Sequence, residues 1–90
     1  MKTVAEAFAA IADGVDGGRP DEELRRRLQQ ARTLCQQASG TAPADLQPLL
    51  ANVQQALATW EEVWPRLGGQ APFRQAVIRE ARSWAKQFAP

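Results

Sequence analysis

The chain contains no histidine and no tyrosine, and only one cysteine and one methionine. Without imidazole there is no general base of near-neutral pKa, no histidine metal ligand and no Cys-His nucleophile pair. The single cysteine, Cys35, cannot build an internal disulfide framework, which makes a reducing, cytoplasmic setting the expectation. Long hydrophobic runs are missing as well. The longest uncharged stretch, 46–60, is studded with glutamines and falls short of the roughly 20 apolar residues that cross a bilayer, so no membrane association is expected. Glu6 and Asp13 interrupt the apolar pattern of the amino-terminal segment, so that segment reads as structure and not as a secretory leader.

A surplus of either charge is also absent. Eleven Lys and Arg against ten Asp and Glu leave a net charge of +1, too little for a global attraction to nucleic acid or anionic lipid. The acids Asp13, Asp16 and Asp21 surround a glycine-rich turn without the alternating ligand pattern of a calcium loop. The Gly-Gly pairs at 17–18 and 68–69 neither follow a strand nor precede a lysine with Ser or Thr that would grip phosphate. They read as corners. No metal, cofactor or small-molecule substrate is expected, and the chain is not expected to be an enzyme.

What is present is the pattern of an all-α protein. Apolar residues recur at spacings of three and four, never two, and glycine and proline punctuate the pattern, which predicts four helices over about 3–15, 21–39, 45–67 and 72–88. Thr3 and Glu6 have capping-box spacing, Asp45 is a plausible N-cap, and Pro48 and Pro72 sit where a first turn tolerates a missing amide. Short connections make successive helices antiparallel, giving a small up-and-down antiparallel four-helix bundle as one domain over 1–90. Cys35 falls on the narrow apolar seam of the second helix, Leu24-Leu28-Ala31-Cys35-Ala38, as a core filler.

The stretch WEEVWPRLGGQAPF, 60–73, holds the most distinctive side chains. Closing the fourth helix on the third about the Gly-Gly corner brings Trp64 near Phe73 and Val77, and Trp60 near Val77 and Ala81. The same closure brings Leu50 and Val53 near Trp84 and Phe88. In one reading these aromatics supply much of the core. In a second, an indole is left over from the core and contributes to an exposed apolar patch for a partner. The third and fourth helices carry apolar arcs about 140° and about 160° wide, more than one neighbour covers.

The charges are polarised along the chain. From Arg66 onward there are five basic residues and one acid, Glu80, while the first 23 residues hold six acids and two bases. In the run Arg25–Arg27, Glu22 and Glu23 stand four residues before Arg26 and Arg27 and are expected to pair with them. On the fourth helix Arg79, Arg82 and Lys86 form one strip beside Ile78. The functional expectation is a non-catalytic protein-interaction module that docks on a partner protein or on itself, as a homodimer, through the third and fourth helices. Trp60, Trp64 and Ile78 would be its contact and Arg79, Arg82 and Lys86 its rim. The alternative is weak binding of nucleic acid or an anionic surface through Arg74, Arg79, Arg82 and Lys86; inward-pointing aromatics make nucleic acid the less favoured partner.

Overall fold

Proline and glycine mark most of the helix ends, the start of the first helix excepted. In a computed structural model describing residues 1–90, α1 runs Lys2–Asp16, α2 Asp21–Ser39, α3 Gln47–Leu67 and α4 Ala71–Phe88. There is no strand, and the helices form the up-and-down four-helix bundle that the periodicity predicts. Three acids, Asp21, Glu22 and Glu23, occupy the first turn of α2, where the helix dipole favours negative charge. At the end of α1, Gly17 donates to the Asp13 carbonyl at 2.8 Å and Arg19 to the Gly14 carbonyl at 3.0 Å. Gly18 makes this reversal with a φ of +66°, a conformation that costs a side-chain-bearing residue about 1 kcal/mol or more.

Two helix starts differ from the expected ones. α1 begins at Lys2 with Met1 as its N-cap and no side-chain cap bond. Thr3 therefore lies inside the first turn, and the expected Thr3-Glu6 box is not formed. Ahead of α3 stands a 3-10 turn, Ala44–Leu46, and the α-helix proper opens at Gln47, not Asp45. Gln47 N–H turns back to the Ala44 carbonyl. Pro48 has no amide with which to extend an α-helical ladder to that carbonyl.

The core is a single apolar cluster with Phe8, Ile11, Leu24, Leu28, Leu50 and Leu57 almost wholly buried. α1 and α4 are the closest-packed helices; the fully buried Ala12 and Ala81 are small enough to let helix backbones approach. α3 and α4 stay farther apart, and aromatic rings fill the space between them. Trp60 stacks on Trp84 with centroids 5.3 Å apart, and Trp64 meets Phe73 edge-on at 5.4 Å. Phe8, from α1, meets Trp84 edge-on at 5.3 Å and stacks on Phe88 at 5.9 Å. Trp60, Trp84, Phe8 and Phe88 thus make one chain of rings across three helices.

This register differs from the expected hairpin. Trp84 stacks one turn beyond Ala81 against Trp60, and Phe88 finds Phe8, because α4 turns its inner stripe toward α1 as much as toward α3. The broad apolar arcs of α3 and α4 have the same origin, since α3 packs against α2 and α4 against α1 while the rings join α3 to α4. Each arc serves two neighbours.

The edge between α2 and α3 is polar. Gln54 donates to Ser39 Oγ at 3.2 Å, Ser39 Oγ donates to the Cys35 carbonyl at 2.8 Å, and Gln47 donates to the Ser39 carbonyl at 2.8 Å. Cys35 itself is buried, and burial pushes its thiol up from 9.0 to about 11. A neutral buried thiol sets the sign of a pH effect. Between 9.0 and about 11 the unfolded chain releases this proton and the folded chain keeps it, so stability falls as pH rises through that window. Urea unfolding of the wild type from pH 8 to 10.5 should show a decline that Cys35→Ala lessens; equal slopes would contradict the assignment.

Candidate functional site: the outer face of helix α4

The residues expected to form an apolar contact are core residues. Trp60, Trp64 and Trp84 are 7%, 6% and 9% exposed, Ile78 is 7% exposed, and no large hydrophobic side chain is exposed anywhere. The reading in which an indole is left over for a partner is thereby corrected. Trp60 is consumed by its stack on Trp84. Trp64 is held on several sides: Phe73 lies edge-on to it, its Nε1 donates to Asp21 Oδ1 at 3.3 Å, and the Arg74 guanidinium lies 5.8 Å from a ring centroid. Trp64 is the hub of one end of the bundle, joining the α3–α4 corner to the start of α2.

The basic residues are also less free than their spacing suggests. Arg74 donates to the carbonyls of Gly68 at 2.6 Å and Val15 at 3.0 Å, tying the two glycine corners together. Arg27 pairs with Glu23 at 3.1 Å, as the four-residue spacing predicts, and donates to the Ala10 carbonyl at 2.5 Å. It crosses α1 at Gly14, where an added Cβ would meet its guanidinium Nη1 at 3.0 Å and Leu24 at 2.9 Å. The matching Glu22–Arg26 pair does not form; Arg26 stays exposed. Arg32, which has no acid nearby in sequence, pairs with Glu61 of α3.

Along α4, Arg79, Arg82 and Lys86 do share one face and line an open groove of about 480 Å³ with Gln75, Ile78 and Ser83. Arg82 is drawn sideways to α1, 3.0 Å from Asp16 Oδ2 and 3.9 Å from Asp13 Oδ1. Neither Arg79 nor Lys86 belongs to an ion pair. Gln87 donates to Ser83 Oγ at 3.1 Å, which leaves the Ser83 hydroxyl proton free to donate outward. The structure thus assembles Arg79, Arg82 and Lys86 on one face, and places Trp60, Trp64 and Ile78 beneath the surface. Gln75 and Ser83 were missed in the sequence; their one signal was position, one turn before Arg79 and one residue after Arg82.

Two smaller clefts lie elsewhere. One of about 270 Å³ runs between α1 and α2 over Ala7, Ala10 and Leu34. Another, of about 170 Å³ between α2 and α3, is lined only by polar residues, including Arg32 and Glu61. Glu61 Oε1 is buried there without a partner, an arrangement that a bound water normally relieves. No set of three or more Cys, Asp or Glu side chains is arranged to hold a metal ion, and no helix is long and apolar enough to cross a membrane. No protein-family model, curated protein or solved structure matches this chain.

Proposed function

We propose that this is a non-catalytic, cytoplasmic helical module that docks on a protein partner, or on a second copy of itself, through the outer face of α4. The observation behind it is the pairing pattern of that face. Arg79 and Lys86 project from one side of α4 outside any ion pair, with the hydrogen-bonding side chains of Gln75 and Ser83 between and beside them. Of the other arginines, Arg27, Arg32, Arg74 and Arg82 are recruited to carbonyls or carboxylates of neighbouring segments. Arg19, Arg25, Arg26 and Arg66 are also outside any ion pair, and what sets α4 apart is that two such cations line one groove. Because no large hydrophobic is exposed, the contact is polar, and its strength and on-rate depend on salt.

The test is the triple charge reversal Arg79→Glu, Arg82→Glu, Lys86→Glu. Sedimentation equilibrium and affinity capture from the source organism's lysate are run on wild type and variant. The expected result is self-association or retained proteins that the reversal abolishes, with helicity unchanged. A monomer that retains the same proteins with and without the reversal would contradict the reading. Nucleic-acid binding gains no support from the arrangement, since the indoles that would stack on bases are buried and such binding draws on exposed stacking platforms.

A further inference from the structure

We infer that the outer face of α4 receives a helical segment of an acidic protein, seating two of its carboxylates, two turns apart, against Arg79 and Lys86. This rests on the interaction reading above and specifies the partner's chemistry. Arg79 and Lys86 stand seven residues apart, which on an α-helix places them about 10 Å apart along the axis and about 20° apart around it. A partner helix carrying acids at i and i+7 repeats that spacing without adjustment. Gln75 and Ser83 extend the row with neutral hydrogen-bonding groups.

The same geometry disfavours the other anionic partners. Nucleic-acid affinity grows with the number of phosphates that Lys and Arg neutralise, and two free cations supply few such contacts. A continuous polyanion laid on the strip also passes Asp13 and Asp16, which have drawn Arg82 toward α1 and are themselves 74% and 58% exposed. Discrete carboxylates on a helix avoid that repulsion. An anionic membrane is held by charge alone only through clusters of roughly four to eight Lys and Arg, more than this strip offers, and Ile78, the one large apolar residue of the groove, is buried and unable to insert.

The test uses the intact bundle and a labelled alanine-rich helical peptide, about three heptads long, with glutamate at every seventh position. Its partner controls are the same peptide with glutamine for glutamate and a single-stranded oligonucleotide of similar length. Anisotropy titrations at low salt should show the glutamate peptide binding more tightly than either control. Arg79→Glu with Lys86→Glu should weaken it by about tenfold or more, the expected scale for turning two exposed attractions into repulsions. Asp13→Asn with Asp16→Asn, which releases Arg82, should tighten it. An unchanged affinity in the double reversal, tighter binding of the oligonucleotide, or no peptide binding at all would overturn the inference. If self-association or partner capture sensitive to the triple reversal persists while the peptide fails, the interaction reading stands and only the helical acidic partner is lost.

Discussion

Phe8→Ala is expected to be the most damaging single truncation in the bundle, costing about 3–5 kcal/mol. Phe8 is wholly buried and is the one ring of α1 in the aromatic chain, touching Trp84 edge-on and Phe88 face-on. Its loss removes one large side chain and also deprives two others of a partner, leaving a cavity between the closest-packed helices, α1 and α4. A domain of ninety residues has roughly 5–13 kcal/mol of stability in total, so the change should lower the thermal midpoint by at least about 12 °C. Phe73→Ala is the comparison. Phe73 is only half-buried, with one edge contact to Trp64, and should cost distinctly less. Calorimetry of both variants settles the order; a Phe8→Ala loss below that of Phe73→Ala would contradict the ring chain as the centre of the core.

The second large effect concerns two adjacent glycines that should respond in opposite directions. A Cβ at Gly68 would lie 2.5 Å from Trp64 Nε1 and 2.7 Å from two of its ring carbons. The indole cannot step aside cheaply, because Asp21, Phe73 and Arg74 surround it. Gly68 has φ −61° and ψ −20°, ordinary helical values, so the penalty is steric and not conformational. Gly68→Ala should destabilise by about 1–3 kcal/mol. Gly69 meets nothing within 4 Å and has no positive φ, so Gly69→Ala should stabilise by roughly 0.4–1 kcal/mol by restricting the unfolded chain. Urea midpoints for the two variants should therefore fall on opposite sides of the wild type. Equal shifts would mean that Trp64 does not rest on the corner.

These two predictions show where the residue pattern was readable and where it was not. Helix number, order and most boundaries follow from apolar spacing interrupted by Gly17-Gly18, Gly40 and Gly68-Gly69, because those signals are local. The place of Cys35 on the α2 seam was readable for the same reason. The central position of Phe8 was not, since its partners Trp84 and Phe88 lie at the far end of the chain and the alanines beside it hide how closely α1 approaches α4. Nor does periodicity distinguish an arc wide enough for two neighbours from one with surface to spare, and that ambiguity left the tryptophans open to two readings. The basic strip shows the same limit. The spacing of Arg79, Arg82 and Lys86 placed them on one face, but the capture of Arg82 by Asp16, 66 positions away, depends on which helix α4 packs beside.

The measurement that bears most directly on a core that takes in all three indoles and a polar working face is tryptophan emission with acrylamide quenching, recorded with and without the glutamate peptide. The expected result is blue-shifted emission, weak quenching, and no change in either when the peptide binds. Red-shifted, readily quenched emission from a fully helical protein, or emission that turns blue on binding, would mean that an indole faces solvent and that the contact is apolar after all.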